Sequence, residues 1–302
     1  MAHAHFRVSA PLAARRLFSR PRPCHDEMCC VSTKGREVRP GVCPGAYVSF
    51  ACCLLPYEIA QGPANMALDE ALLERVGSCP DTVILRTYGW LEPTLSLGYF
   101  QQQRQALAEP RWQSVPMVRR STGGGAIWHD RELTYAVVLP ADFPKARPAR
   151  SLYRRVHSAI AELLCEQGLD ACRRADAASM PALGASGVQQ RPVLCFSDAD
   201  PEDIVASGYK VVGSAQRRRG RAILQHGSIL LASSDRTPEL KGVCDLAAVS
   251  SDPRQWSQTV ALRIAAALGV TPSLGDWSAD IRRRALYLAR TLYGDASWTA
   301  KR

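Results

Sequence analysis

Hydrophobic residues recur with helical spacing in four segments of the chain. In the first segment, Met66, Leu72 and Val76 lie close to one face of a helix that Gly62-Pro63 would open. A second segment has the same spacing and ends at Gly168, and two more lie nearer the carboxyl end. The four predicted helices span residues 62–75, 152–167, 256–268 and 279–292.

Short segments rich in β-branched and aromatic residues predict strands between these helices. Two of them, 209–215 and 222–231, flank an arginine-rich stretch with Gly220, which predicts a hairpin. The other predicted strands are 82–88, 94–99, 115–119 and 132–139, and residues 173–194 predict a mobile loop. Strand pairs mixed with helices, without regular βαβ alternation, favour an α+β or a mixed α/β fold.

The first 53 residues differ in composition from the rest. Residues 1–23 contain five arginines and no acidic residue, a composition typical of an organelle transit peptide or of a basic, disordered arm. We prefer the arm, because no processing site follows residue 23. The prediction is a disordered extension over 1–53, one folded domain over 54–302, and a cytoplasmic location, with import into an organelle as the alternative.

A formal net charge of +10 favours an acidic partner, whether nucleic acid, anionic membrane or protein. No dense basic tract is interleaved with aromatic residues, and no run of about 18 apolar residues predicts a membrane span. We therefore expect neither a nucleic acid nor a membrane partner.

The eleven cysteines are odd in number and form no CxxC pair, which favours reduced thiols over a disulfide framework. Several of them cluster near the amino end, but their spacing matches no familiar zinc site, so no metal site is predicted. The residues of this cluster are Cys24, His25, Cys29, Cys30 and Cys43.

Residues 119–138 carry the strongest candidate chemistry, and they read RRSTGGGAIWHDRELTYAVV. Glycine has no Cβ, so a ligand can lie directly against the backbone of Gly123, Gly124 and Gly125. The guanidinium groups of Arg119 and Arg120 add donors for an anion or a polarised carbonyl. A plain glycine turn is the alternative, and the run lacks the GxGxxG spacing of dinucleotide sites.

A second block, residues 207–231, reads SGYKVVGSAQRRRGRAILQHGSILL and places Lys210 at the entry of a strand. Together with NMALDEALL (65–73) and PTLSLGYFQ (93–101), these blocks resemble the biotin/lipoate protein ligase and acyltransferase superfamily over about residues 54–302. The resemblance implies an α+β fold with a central mixed β-sheet flanked by helices. It also implies an acyl group beside the glycine loop, Lys210 near the acyl carbonyl or a phosphate, and an acidic lipoyl carrier domain as partner.

Cys195 decides which chemistry of this superfamily we expect. Lipoate and biotin ligases form an acyl-adenylate, whereas octanoyltransferases similar to this chain carry a Cys-Phe pair before the lysine block, as Cys195-Phe196 does here. A thiolate is both nucleophile and leaving group, and the Lys210 ammonium could lower the thiol pKa. Lys210 and backbone N–H groups near Gly124 and Gly125 could bind the oxyanion. The alternative for Cys195 is a small buried hydrophobe.

Two further segments resemble the transferases, and one residue departs from them. The segment HDRELTY (129–135) and the ending at 293–298 are similar to the transferase forms. Several cysteine-type transferases, however, carry arginine where this chain has Gly125, and a full triple glycine is common in ligases. His129 and His226 are predicted to make structural hydrogen bonds or to orient the ligand, not to act as general bases.

The resemblance thus implies an enzyme that moves an octanoyl or lipoyl group through a thioester on Cys195, assisted by Lys210, to a carrier lysine. It needs no metal or bound cofactor. The donor would be acyl carrier protein or octanoylated glycine-cleavage H protein, and the acceptor a lipoyl domain of a 2-oxoacid dehydrogenase or H protein. The implied binding residues are Arg119, Arg120, Thr122, Gly123, Gly124, Gly125, His129, Gly213 and Ser214.

Two other functions remain open at this point. The first is an ATP-dependent lipoate ligase, which would use ATP and Mg²⁺ and would have no use for Cys195. The second is a module that binds octanoate, lipoate or the carrier without turnover.

Overall fold

The computed structural model describes residues 50–177, 193–197 and 200–302. The strands in these ranges are β1 (Ala51–Leu54), β2 (Glu58–Ala60), β3 (Thr82–Trp90), β4 (Thr94–Leu97), β5 (Met117–Arg119), β6 (Ile127–His129), β7 (Glu132–Pro140), β8 (Ala171–Arg173), β9 (Ile204–Ala206), β10 (Tyr209–Arg219), β11 (Ala222–Leu230) and β12 (Pro272–Leu274). The helices are α1 (Gly62–Ser78), α2 (Gln103–Leu107), α3 (Ala149–Glu166), α4 (Val243–Leu246), α5 (Pro253–Leu268), α6 (Ala279–Leu288) and α7 (Ala296–Thr299).

A large mixed sheet forms the centre of the domain, with strand order β12-β1-β3-β7-β11-β10-β9-β8 and β2 beside β3. The pairs that join β1 to β12 and to β3 are parallel, whereas the pairs from β3 to β8 are antiparallel. A smaller sheet of order β5-β4-β6 holds the strands on either side of the glycine loop. The predicted hairpin is the β10–β11 pair, which turns at Gly220.

Helices cover both faces of the large sheet. Alternate residues of β7 point to opposite faces, so Val137 joins the apolar cluster with α3 and α5, and Val138 joins the cluster with α1 and α6. Every residue of β7 is buried, as expected for a strand covered on both sides. The four predicted helices correspond to α1, α3, α5 and α6, the last continuing as a π-helical turn over Ala289–Tyr293.

The predicted domain boundary between residues 53 and 54 is wrong by a few residues. Ala51–Leu54 forms β1, which pairs with β3 and β12 inside the large sheet. Cys52 and Cys53 are buried there as small hydrophobic side chains, one on each face. The first 49 residues lie outside the described ranges, so the disordered extension stays a prediction.

The mobile loop predicted over residues 173–194 is corrected at its described ends, and at the later end Leu194 is buried and pairs with Ala126. Arg173 ends β8, and Arg174–Asp176 forms a 3₁₀ turn. Residues 178–192 lie outside the described part of the chain. Among the helices that are described, none combines the length and hydrophobicity that a membrane crossing requires.

Arg119 ties three segments of the fold together. Its side chain is fully buried at the end of β5 and donates to backbone carbonyls of the segment after β4 and of α7. The acceptors, at 2.7 to 3.1 Å, are the carbonyls of Gly98, Tyr99, Gln101, Trp298 and Thr299. The planar guanidinium group supplies the five N–H donors that such a cage of carbonyls requires.

Arg119→Lys should therefore lower the free energy of unfolding by about 3 kcal/mol, because an ammonium lacks the planar fork and leaves buried carbonyls without donors. Urea denaturation measures this change. The matched control is Arg104→Lys, whose side chain is exposed and bonds only to Gln102 among the described residues. Equal denaturation midpoints for Arg119→Lys and the parent would contradict the assignment.

Candidate active site

A pocket lies between the large sheet and the glycine loop, with about 400 Å³ of empty space that includes open solvent. Apolar surface dominates the walls, which come from α1, β3, the glycine loop, β6, β7, β10 and β11. The lining residues are Met66, Tyr88, Trp90, Arg120, Gly123, Gly124, Ile127, His129, Thr134, Cys195, Ser214, Ala215, His226, Gly227 and Ser228.

Backbone hydrogen bonds hold Cys195 at this pocket. The N–H of Cys195 donates to the carbonyl of Ala126 at 2.8 Å, and the N–H of Ala126 donates to the carbonyl of Val193 at 2.8 Å. A parallel bridge between Ala126 and Leu194 continues this pairing. Phe196 is buried beside Ile127, so a backbone and an apolar anchor both fix the thiol at the pocket wall.

The third glycine of the loop is required by the close approach of Cys195. A Cβ placed on Gly125 would lie 2.8 Å from the nitrogen of Cys195 and 2.9 Å from its Cα, closer than packed atoms allow. Gly124 has φ +92°, a conformation that glycine adopts without strain. The triple glycine therefore brings the cysteine backbone against the loop.

Lys210 lies next to the thiol of Cys195. Its Nζ is 3.4 Å from Cys195 Sγ, and it donates to the Cys195 carbonyl at 3.1 Å. The same ammonium forms a 2.6 Å ion pair with Asp203, and both side chains are buried. A β-bulge after Lys210 interrupts the pairing of β9 with β10, and bulges commonly redirect a side chain beside a site.

Burial lowers the pKa of Lys210, but the negative charges of Cys195 and Asp203 and their hydrogen bonds outweigh it. The net result is a Lys210 pKa above its ordinary value, so the ammonium form persists at neutral pH. Gly213 leaves room for this group, since a Cβ there would lie 2.8 Å from Lys210 Cε. The site thus keeps a fixed positive charge beside the sulfur.

Arg120 holds the glycine loop from inside the pocket wall. Its terminal nitrogens donate to the carbonyls of Ser96, Gly123 and Gly125 at 2.8, 3.1 and 2.8 Å. Burial lowers the Arg120 pKa to about 10, against the opposing influence of Cys195, and the group stays protonated at neutral pH. Its buried Nε finds no hydrogen-bond partner among the described residues.

A buried polar network reaches the pocket at His129. Arg120 donates to Ser96 Oγ, which is 2.6 Å from His129 Nε2, and His129 Nδ1 donates to Glu132 at 2.7 Å. The hydroxyls of Thr134 and Ser228 also donate to Glu132. The indole of Trp90 stacks on the His129 ring, with 3.7 Å between the two ring centres.

Burial keeps His129 neutral. Burial lowers the His129 pKa, and the attraction of Glu132 only partly offsets that effect. Because an ionised carboxylate only accepts, the proton lies on Nδ1 and Nε2 accepts from Ser96. His129 therefore makes buried structural hydrogen bonds to Ser96 and Glu132, and its orienting role toward a ligand stays a prediction.

A second buried network connects the glycine loop to α1. Thr122 Oγ1 is 2.7 Å from His226 Nε2, and His226 Nδ1 donates to Asp69 at 2.8 Å. Arg86 pairs with Asp69 at 3.0 Å and donates to Asn65 at 2.9 Å. Asn65 and Asp69 belong to the NMALDEALL segment, so this part of α1 supports the glycine loop through His226 and Thr122.

Ser214 connects the pocket to a third group of buried polar residues. Its hydroxyl is 2.7 Å from His157 Nε2, which is 3.2 Å from the Tyr135 hydroxyl. His157 Nδ1 donates to the carbonyl of Glu202, the neighbour of Asp203. Burial lowers the pKa of His157, so this histidine is neutral as well.

The structure brings together most of the predicted site residues. Cys195, Arg120, Gly123, Gly124, His129 and Ser214 line the pocket, and Lys210, Thr122 and Gly125 contact residues that line it. Gly213 lies against Lys210. Arg119 does not form part of the wall, so that prediction is corrected. Adjacent residues of a strand point to opposite sides, and the side chain of Arg119 faces the carbonyl cage instead.

Sequence reasoning missed Asp203, Glu132 as an acceptor, and the Asp69–His226 pair. Asp203 stands in a polar stretch before β9, where a carboxylate that pairs with lysine cannot be told from a solvated one. The sequence did carry one signal. Asp203 stands seven residues before Lys210, and the tight turn between them joins the adjacent antiparallel strands β9 and β10.

Three further described cysteines, Cys165, Cys172 and Cys244, differ from Cys195 in their surroundings. Cys165 donates to the carbonyl of Ala171, and Cys244 to that of Ser250. Burial raises the thiol pKa of Cys172 and of Cys244. The cysteine cluster near the amino end lies outside the described residues, and within the described ranges no group of His, Cys, Asp and Glu residues could hold a metal ion.

Solved structures share the fold of this chain. Protein Ta0514 from T. acidophilum, solved with bound lipoic acid, superposes with a TM-score of 0.64 at 23% identity, covering 84% of this chain and 100% of that chain. A lipoate-protein ligase A bound with ATP gives a TM-score of 0.63 at 24% identity, covering 83% and 98%. At such identities the likeness establishes the fold, and it confirms the predicted catalytic-domain type.

Curated relatives are more similar in sequence. The octanoyltransferase LipM of Moorella thermoacetica is 40% identical over 185 residues, which cover 59% of this chain and 64% of that protein. The octanoyltransferase LipM of Geobacillus kaustophilus is 39% identical over 180 residues, covering 55% and 60%. In both cases the chain spans less than two thirds of the relative's length.

The family model described as the lipoyl protein ligase A/B catalytic domain matches residues 61–244. This range is more than half of the 302-residue chain and contains the glycine loop, Cys195 and Lys210. The protein therefore belongs to the lipoyl protein ligase A/B catalytic domain family.

Proposed function

We propose that this protein is an acyltransferase that moves an octanoyl group, through a thioester on Cys195, to the target lysine of a lipoyl carrier domain. The observation that carries the proposal is the 3.4 Å contact between the Cys195 sulfur and the Lys210 ammonium at an apolar pocket. An adenylate-forming ligase has no use for this thiol. Relatives named octanoyltransferase, at about 40% identity, support the same interpretation.

In the first step, the Cys195 thiolate attacks the carbonyl carbon of an octanoyl thioester. The C–S bond of the donor breaks as the new thioester forms, and the donor thiolate leaves and takes up a proton from solvent. Lys210 remains an ammonium throughout, and it stabilises negative charge first on the sulfur and then on the carbonyl oxygen.

In the second step, the neutral amine of the acceptor lysine attacks the enzyme thioester. The amide bond forms, Cys195 leaves as a thiolate beside Lys210, and the nitrogen releases its extra proton to solvent. Splitting the transfer into two steps avoids a direct reaction between two carrier proteins.

Arg120 would assist at the carbonyl end of the acyl group. Its Nε is a buried donor at the pocket wall, and a ligand oxygen is the partner that would satisfy it. Backbone N–H groups near Gly124 and Gly125 would complete the oxyanion site, as the sequence suggested.

The apolar pocket walls suit a saturated acyl chain, and the same pocket would accept a lipoyl group. The proposed donor is acyl carrier protein or octanoylated H protein, and the proposed acceptor is a lipoyl domain or H protein. The transfer needs neither a metal nor a bound cofactor. A cytoplasmic location belongs to the same proposal, because a reducing compartment keeps the thiol free.

ATP-dependent lipoate ligation is the second candidate. A specific observation favours it: structures of the same fold hold lipoic acid or ATP, and Lys210 and the glycine loop would serve an adenylate equally well. Lipoate with ATP and Mg²⁺ would then release pyrophosphate, and the reaction would not depend on Cys195.

Cys195→Ala should reduce octanoyl transfer to an acceptor domain by more than about a thousandfold, because the nucleophile is lost. Intact-mass spectrometry of the parent after incubation with octanoyl carrier protein should show one octanoyl adduct at this residue. Cys165→Ala, which removes an exposed thiol, is the control and should remain active. Full-rate transfer by Cys195→Ala would eliminate the thioester route, and pyrophosphate release would then identify the ligase.

Asp203→Asn should slow the loading of Cys195 by about ten- to a hundredfold, because Lys210 loses its anchor. Asp203 also helps to raise the pKa of Lys210, so its neutralisation lowers that pKa, and the ammonium loses its proton at a lower pH. The fall of the loading rate at alkaline pH should therefore begin at a lower pH in Asp203→Asn than in the parent. If the pH dependence of loading is the same in both proteins, Lys210 does not control it.

Gly125→Ala should slow loading on the order of a hundredfold, because the added Cβ displaces the Cys195 backbone. Single-turnover loading followed by mass spectrometry measures this effect. Gly77→Ala is a matched control, since a Cβ there would meet, among the described residues, only Ala222 at an ordinary 3.9 Å. Equal loading rates for Gly125→Ala and Gly77→Ala would contradict the packing argument.

A further inference from the structure

The segment that follows β4, residues 98–102, connects the glycine loop to the segment that carries Cys195. The N–H of Tyr99 donates to the carbonyl of Thr122 at 2.8 Å, next to the glycine loop. The side chain of Gln101 donates to the carbonyl of Val193 at 2.9 Å, two residues before Cys195. We call this side of the pocket its rim, and whatever binds on the segment binds beside both the glycine loop and the segment that carries Cys195.

Phe100 projects from this segment into solvent. Its side chain is 71% exposed, yet its ring lies about 3.9 Å from the point where a Cβ on Gly123 would stand. Gly123 itself lines the pocket. A phenylalanine exposed to this extent at the rim of a site gains nothing from solvent, but it is a suitable anchor for a protein partner.

Two cations lie beside Phe100 and its neighbour Tyr99. The guanidinium of Arg302 lies 5.3 Å from the Phe100 ring centre and 5.0 Å from that of Tyr99, and Lys301 Nζ lies 5.4 Å from the Tyr99 ring centre. The carbonyl of Arg302 accepts from Gln103 N–H at 3.0 Å, which fixes the backbone there. We name Tyr99, Phe100, Lys301 and Arg302 the Phe100 surface.

Neither Lys301 nor Arg302 forms an ion pair with an acidic side chain of the described residues. Hydrogen bonds and charge from Arg302 and Lys301 lower the pKa of Tyr99, as expected at a positive surface. A partner that covers this surface must supply carboxylates around an apolar contact.

We propose that the Phe100 surface docks the acceptor domain, by contact with acidic side chains that flank its target lysine. This inference rests on the proposed function. A lysine side chain reaches only about 6 Å from its backbone on its four-carbon stem, so its domain must sit directly on the rim. A donor thioester on a long flexible arm has no such restriction. The acceptor is also the protein partner that both transfer and ligation require.

The test compares two variants, Phe100→Ala and the pair Lys301→Glu with Arg302→Glu, with the apo lipoyl domain of a 2-oxoacid dehydrogenase as the acceptor. Each should raise the KM for this domain about tenfold or more and weaken its direct binding equally. The kcat and the loading of Cys195 from octanoyl-CoA should stay within about twofold of the parent. Added salt should raise the KM of the parent more than that of the charge-reversed variant.

Two substitutions on α6 provide matched controls, Tyr287→Ala for the exposed ring and Arg283→Glu for the charge. They should leave the acceptor KM unchanged. An unchanged acceptor KM and unchanged binding in both Phe100-surface variants would overturn the proposal, as would a defect confined to a carrier-bound donor. If no Cys195 adduct forms in the parent but acceptor binding still depends on Phe100, the transferase mechanism is wrong and the docking surface stands.

Discussion

The site depends on one buried ammonium that contacts both a carboxylate and the sulfur of Cys195. Lys210 lies 2.6 Å from Asp203 and 3.4 Å from the Cys195 sulfur, with almost no contact with water. An unpaired charge in such a place would be very costly, so the lysine and its partners stabilise one another. The bulge in β10, the space at Gly213 and the anchored Cys195 backbone all serve to bring these three groups together.

Around this centre, the pocket walls are stiffened by polar networks that lie within an apolar sheet. The chain from Arg120 through Ser96 and His129 to Glu132 supports the glycine loop, and the Thr122–His226–Asp69 chain supports it from α1. In a low-dielectric interior these bonds are strong, and a broken one leaves a costly unsatisfied group. The loop is thus held in one conformation while glycine keeps its surface open to a ligand.

The fold class, the hairpin, the glycine loop and the approach of Cys195 to Lys210 were predictable from the sequence, because each has a local pattern or a family motif. The start of the domain was not, because Cys52 and Cys53 have no clear strand pattern yet serve as buried apolar residues in β1. The direction of Arg119 was also not predictable, because it depends on the distant segment α7, and no spacing rule encodes that contact. The role of Asp203 was missed although it stands seven residues before Lys210, because a carboxylate that pairs with lysine looks the same in a sequence as a solvated one.

Asp203 helps to explain how one thiol could serve both proposed steps. Cys195 would have to attack a thioester and later leave from one, and these demands oppose each other, because a more stabilised thiolate is a better leaving group but a weaker nucleophile. A lone ammonium beside the sulfur would favour leaving. By sharing the charge of Lys210, the carboxylate moderates that attraction while it holds the ammonium in position for the carbonyl oxygen. The balance between the steps would then depend on Asp203 as much as on the cysteine itself.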